Sequence, residues 1–237
     1  MAISINNVYQ KVLALANKEQ RGYITPQEFN LIAQRAQNEI YDNYFHQIKV
    51  TEAKPKTQEG VAFDSIELIR QRLQNFQNFK AITQEADDQS LDLINNITNL
   101  YHINNVINQD LNVELTQLTT KQMLYTENNP LTKATTRRPV YVYEKKDYLL
   151  LYPTPTVQTV YRIDYYVVPT KPTWGYVVVN GNALYNSNTS TDFQLHPSEE
   201  ENLISRILIL SGTTIKQPEL QQAGAQDIQL VKQLQNS

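Results

Sequence analysis

The chain has 237 residues, a formal net charge of −3 and no cysteine. That length can bury about 70% of the unfolded surface without a staple, and the missing cysteines exclude disulfides, thiolate metal sites and thiol nucleophiles. The mildly acidic balance argues against a broad basic face for holding DNA, and no apolar run reaches the ~20 residues a membrane span needs.

Fifteen tyrosines against six phenylalanines form an unusual ratio. A tyrosine ring is apolar with a polar tip, which suits subunit contacts that stay wet. An AT-rich codon bias would raise tyrosine equally, and both readings stand.

Residues 5–20 space Ile5, Val8, Val12, Leu13, Leu15 and Ala16 as one helix face. This segment is expected to be a helix and not a secretory signal, because no basic stretch precedes an unbroken apolar core. Gly22 can close it in the left-handed conformation. "ITPQEF" then starts a second helix, with Thr25 as N-cap, Pro26 at the first helical position and Glu28 completing a capping box. Running to about residue 46, it should bury Phe29, Ile32, Ala33, Ala36, Ile40 and Tyr44 or Phe45. Two helices on a short turn predict an antiparallel hairpin.

Residues 49–63 read as an exposed loop, and a helix is expected to restart at Asp64 with Glu67 as its box partner. Over 77–120, "NLYHINNVIN" and "LNVELTQL" fit short strands. "TTKQMLYTENNPLTKATTRRP" predicts a short helix and then a proline-flanked connector. "VYVYEKK" and "DYLLLYP" are two β-runs. In "VQTVYRIDYYVVP", Val160, Arg162, Asp164 and Tyr166 alternate with Tyr161, Ile163, Tyr165 and Val167, one set per face. "WGYVVVNGNALY" predicts a hairpin turning at Asn180-Gly181 in type I′.

In "STDFQLHPSEEENLISRILILSG", Pro197 takes a first helical position and His196 is the favoured cap over Ser198. Glu199, Glu200 and Glu201 face the positive end of the helix dipole. Leu203, Ile204, Ile207, Leu208 and Leu210 form the expected buried stripe, Gly212 closes the helix, and "KQPELQQAGAQDIQLVKQLQ" predicts a last one.

This order predicts an α+β chain. A helical bundle from 1–80 and 190–237 is expected, with a mixed connector at 81–137 and an antiparallel β-domain at 138–189 whose β-rich insertion spans roughly 138–186.

The search for chemistry is short. No two of the six glycines form a phosphate loop, and neither a nucleophile elbow nor a paired-histidine zinc motif occurs. His46, His102 and His196 each lack a second histidine at helical spacing. The three glutamates after His196 point in successive directions around a helix and cannot converge on one ion. Asp87-Asp88 lacks a calcium-loop spacing and reads as a solvated turn, so a hydrolase built on Asp87, Asp88 or His102 has no nucleophile arrangement. No catalytic, cofactor or metal site is expected. Arg137-Arg138 and Lys145-Lys146 are the tight basic pairs, fit to discourage edge aggregation or to touch phosphates. Trp174, the single tryptophan, could seal a core, anchor a subunit contact or, with Tyr176, stack a sugar. The residues expected to carry contacts are Trp174, Tyr176, Arg137, Arg138 and Tyr165.

Five blocks occur in order: "NKEQRGYITPQEFNLIAQRAQNEIYDNYF", "NPLTKATTRRPVY", "VVPTKPTWGY", "STDFQLHPSEEENLISRILILSG" and "IKQPELQQAG". Together they resemble the head-to-tail adaptor or ring proteins of tailed bacteriophages, in particular ring components of short-tailed, crAss-like phages related to tail-tube protein A. Residues 50–120 lie outside the likeness. The resemblance implies a non-enzymatic wedge, a helical bundle with a β-rich insertion. Such wedges would assemble as a twelvefold homo-oligomeric ring beneath the portal protein, joining it to other tail or ring proteins. DNA would pass through the lumen without sequence-specific binding or any membrane. The setting would be the virion at the head–tail interface, after assembly in the host cytoplasm. A soluble glycan-binding module using Trp174 and the Tyr-rich strands is the competing expectation.

Overall fold

The structure, a computed structural model, describes residues 2–18, 24–52, 59–145 and 148–214, with side chains at 2–16, 24–51, 66–143 and 148–212. Its helices are α1 (Ile5–Lys18), α2 (Pro26–Glu52), α3 (Glu59–Leu73), α4 (Thr120–Asn128) and α5 (Glu200–Thr214). The strands before α4 are β1 (Gln77–Gln84), β2 (Ser90–Asp92), β3 (Leu100–Asn108), β4 (Val113–Glu114) and β5 (Thr116–Leu118). After it come β6 (Val140–Lys145), β7 (Tyr148–Tyr152), β8 (Thr159–Val167), β9 (Tyr176–Val179) and β10 (Asn182–Tyr185). The chain is α+β. It falls into two units, Phe76–Val168 and the described residues on either side of that segment.

In the flanking unit, α1 buries Ile5, Val8, Tyr9, Val12 and Ala16, while Leu15, expected inside, is exposed. Tyr9 occupies the inward face in its stead. The α1 N-terminus is closed from a distance, since the Ile5 N–H donates to Asp192 Oδ1 at 2.9 Å, and Phe193 N donates to Ile3 O at 3.1 Å. The capping box before α2 forms as expected. Glu28 N donates to Thr25 Oγ1 at 3.3 Å and Thr25 N to Glu28 Oε2 at 3.0 Å. Phe29, Ala33, Ala36, Ile40 and Tyr44 are buried, and Ile32 and Phe45 are half-buried. In α5, Leu203, Ile204 and Ile207 are buried, whereas Leu208 and Leu210 are only half so.

Several boundaries move. The expected loop over 49–63 is replaced by the end of α2 at Glu52 and by α3 from Glu59, with 53–58 outside the described residues. Asp64 therefore lies within α3 and does not cap it, since the helix is already under way from Glu59 and no proline interrupts 59–73. Gly212 lies inside α5 and does not close it, because an isolated glycine costs only ~1 kcal/mol in a helix. Gly22 and the last expected helix fall outside the described residues, as does the Lys146 end of the basic turn.

Strands begin at Gln77, and the short strands expected within 77–120 share one unit, Phe76–Val168, with those expected after 138. In Phe76–Val168 one sheet has the order β1-β8-β3-β4 and another β2-β7-β6-β5. Both contribute to one core, with Ile82, Ile103, Val106, Tyr161, Ile163 and Tyr165 from the first sheet. Leu91, Tyr141, Leu149 and Leu151 come from the second. Val140 and Val142, on the opposite face of β6, pack with Met123 of α4. The second sheet is thus covered on both faces, one by a sheet and one by a helix. The β-region is not wholly antiparallel, because β5 pairs with β6 in parallel. A parallel pair needs a crossover, and α4 supplies it. Thr119 caps this helix in a reciprocal box with Gln122.

The β9–β10 hairpin has its expected turn, Asn180 at φ 49° and Gly181 at φ 80°, the double positive φ of type I′. It belongs with the flanking helices and not with the other strands. Proline-rich "VPTKPT" separates it from β8, and Gln27 Nε2 of α2 donates to the Tyr176 hydroxyl at 3.4 Å.

Candidate functional site

The chemistry-bearing cluster of the flanking unit gathers around His196. Its ring Nδ1 accepts from Ser198 N at 3.2 Å and caps a single 3₁₀ turn, Pro197–Glu199, that leads into α5. His196 is therefore the cap, as expected. The three glutamates, however, do more than face a dipole. Glu199 turns inward, and its side chain is only 6% exposed. Its Oε1 pairs with Arg72 Nη1 of α3 at 2.7 Å, and its Oε2 accepts from Asn202 Nδ2 at 2.8 Å. Glu200 and Glu201 turn to α1, where Lys11 Nζ lies 2.8 and 3.4 Å from them; those exposed pairs contribute little.

Beside the Glu199 pair lies the buried Tyr44 hydroxyl of α2. Burial first, then the Glu199 charge, push its pKa well above the ordinary phenol range. Arg206 of α5 reaches Glu39 of α2 at 3.5 Å, and Glu39 also pairs with Arg35 at 2.9 Å. The result is a polar seam that joins α2, α3 and α5. A carboxylate already committed to a guanidinium and an amide inside a fold is poorly placed to exchange protons with a substrate; what it can do is fix helix positions.

A second polar clamp holds the returning chain. Gln37, fully buried, donates from Nε2 to Thr170 O at 2.8 Å and accepts from Gln194 N at 3.1 Å. Asn30 does the same for Trp174, accepting from its N at 2.7 Å and donating to its O at 3.2 Å. The Trp174 indole Nε1 donates to Asn6 Oδ1 at 3.1 Å. Its ring, 3% exposed, packs on Tyr9 at 4.3 Å between centroids and on Tyr176 and Tyr185 at 5.8 Å each. Gly175 follows because a Cβ there would stand 2.7 Å from the Thr189 carbonyl carbon.

The residues singled out from sequence thus scatter. Trp174 is core, so it offers no open face to a sugar, and the stacking platform is corrected to an internal aromatic cluster. Tyr176 is half-buried on that cluster. Tyr165 lies in the core between the two sheets of Phe76–Val168. Arg137 and Arg138 are exposed; Arg138 Nη2 donates to Leu131 O at 3.1 Å. Asp88 sits in the expected turn, where hydrogen bonds from Ser90 N and Oγ, each 3.0 Å, hold its carboxyl below the usual range. His46 and His102 are exposed. Among the described residues no three His, Asp or Glu side chains cluster as a metal site, and no helix is long and apolar enough to cross a membrane. Arg72, Arg206, Gln37 and Asn30 were missed, and Tyr44 was expected only as a buried residue of α2. Each is an ordinary polar position in a helix until its distant partner is known.

Buried phenols make alkaline pH informative. Burial raises Tyr141 to about 12, and burial with the Asp110 charge raises Tyr161. A phenol whose pKa rises on folding keeps its proton in the native state where the unfolded chain, near 10.0, has lost it. Its contribution is therefore full below pH 10 and lost as pH climbs to about 12. We expect phenolate absorbance of these groups to appear together with unfolding over that window. Their titration inside a native circular-dichroism spectrum would contradict the burial.

No protein-family model matches the chain, and no curated protein matches it.

Proposed function

We propose that this chain is a virion structural protein, a non-enzymatic adaptor whose copies form a ring between portal and tail with DNA passing through the lumen. In this reading, helices from both ends of the chain form the bundle of a rigid wedge, and Phe76–Val168 is its β-rich insertion. One observation carries it: the acidic cluster that most resembles a reactive site is spent on pairs within the chain, with Glu199 buried on Arg72 at 2.7 Å and Glu200 and Glu201 held by Lys11. The ordered likeness to adaptor ring proteins supports the same conclusion. Three of its blocks hold the capping box at Thr25, the Trp174 anchor and the His196 cap, features that make a wedge stiff. The mild net charge of −3 suits a channel along which DNA slides, since few groups neutralise phosphates.

The reading has a direct test. Virions assembled without this protein should show filled or leaking heads that lack tails in negative-stain micrographs, and added protein should restore tails by forming a closed ring, twelvefold in this proposal, on the portal. Particles that tail normally without it would remove the adaptor role.

A further inference from the structure

Sheet edges invite pairing unless they are shortened, charged or covered. In the two four-stranded sheets, three edge strands are short: β4 spans two residues, and β2 and β5 three each. The fourth is different. β1 runs eight residues, bonds to β8 along one side, and among the described residues finds no backbone partner on the other. Residues 77–81 are all exposed, including Phe79 at 66%, which lies under the Arg162 guanidinium at 4.5 Å.

The β9–β10 hairpin has the matching deficit. Among the described residues it forms a two-stranded sheet with no further strand on either outer edge, and an isolated pair of strands is marginal in water. Val177, Val178 and Val179 are exposed in succession, so both faces are apolar, and Leu184 joins them. Residues 172–191 contain no charged side chain, so the usual protection of an exposed edge is missing. An uncharged ribbon desolvates nothing ionic when it meets a strand whose one charge, Lys80, stays at the surface.

The geometry points to a contact between copies: the β9–β10 hairpin of one copy adds to the open edge of β1 in the next and extends the β1-β8-β3-β4 sheet. This rests on the ring reading above and specifies its joint. The hairpin and β1 are unlike surfaces, so the contact is heterologous and propagates head to tail, which closes into a ring when the rotation allows. Strands of four residues each make a contact smaller than the roughly 800 Å² per partner of a stable pair. A single joint is therefore weak, and closure, which gives every copy two joints, makes it persist. Affinity comes from main-chain hydrogen bonds along the strands, with Phe79 against the valines as aromatic–β-branched neighbours.

The cysteine-free chain makes the test clean. Val178→Cys and Lys80→Cys, both at exposed positions, are introduced together and singly into the full chain. Rings assembled on the portal are treated with a short bismaleimide and run on denaturing gels. Leu184→Cys with Ala81→Cys serves as a second pair should the first perturb folding. The double variant is expected to give a covalent ladder from dimer to closed ring, while each single variant stays monomeric. Dimers from Val178→Cys alone would show hairpin meeting hairpin and overturn the proposal. Intact rings by microscopy without a ladder in either pair would overturn this joint and leave the adaptor reading standing. If no ring forms even from the unsubstituted chain, both fall.

Discussion

Arg72→Met is expected to destabilise the flanking unit by about 3 kcal/mol, because it strands the Glu199 carboxylate inside the protein. Glu199 is 6% exposed and Arg72 25%, so water repays part of the lost pairing and the cost should lie at the lower end for broken buried pairs. Glu199 would keep its hydrogen bond from Asn202 at 2.8 Å, which is neutral and cannot replace a guanidinium. The pair as a whole is a weaker source of stability than the penalty for halving it. Arg72→Met combined with Glu199→Leu should therefore recover most of the loss, to within about 1 kcal/mol of the parent. Trp174 is the single tryptophan and sits in the core of the same unit, so its fluorescence in urea reports this unit and not Phe76–Val168. A single variant that melts with the parent would mean that Glu199 is hydrated, and that His196 and its glutamates must be reconsidered as a site.

Trp174→Ala should cost about 3–5 kcal/mol, as large-to-small core changes do, and should free the hairpin. The ring bridges Tyr9 of α1 to Tyr176 of β9 and Tyr185 of β10, so removing it takes away the surface on which both strands rest. Asn6 Oδ1 also loses its indole donor. Hydrogen exchange is the discriminating measurement: amides of 176–185 should lose protection while β3 and β8 keep theirs. Trp174→Phe keeps most of the packing and should lose only ~1 kcal/mol, the hydrogen bond to Asn6. Unchanged stability in Trp174→Ala would show that the hairpin is held elsewhere. Because the hairpin is one side of the proposed joint between copies, the alanine variant should also fail to enter rings, although Phe76–Val168 folds normally.

Local signals were legible where they complete themselves within a few residues. Thr25-Pro26 with Glu28, Asn180-Gly181 between Val177–Val179 and Ala183-Leu184, and His196-Pro197 each name their own geometry. All three stand in the structure as expected. β8 was legible too, because it is long and alternates. By contrast β1 was not: "QNFKAITQ" buries only Ile82 and Gln84, and a strand on an open edge has no reason to alternate. The pairing of β5 with β6 was equally hidden, since its three residues acquire meaning only from the crossover through α4. Trp174 was placed among core, contact and sugar-stacking roles with nothing nearby to choose; Tyr9, Asn6 and Asn30, more than a hundred residues earlier, chose.

Helix caps, turn type, the α+β pattern and the absence of thiol chemistry follow from the amino-acid order alone, because each depends on neighbours a few bonds away or on composition. Which polar side chains become partners depends on distances between segments that folding brings together. Glu199 and its two successors are the same residue type in consecutive positions, yet one is buried on Arg72 and the others lie at the surface by Lys11. Only packing separates them, since successive positions around a helix point in different directions and turn one carboxylate toward Arg72 of α3 and the next two toward Lys11 of α1.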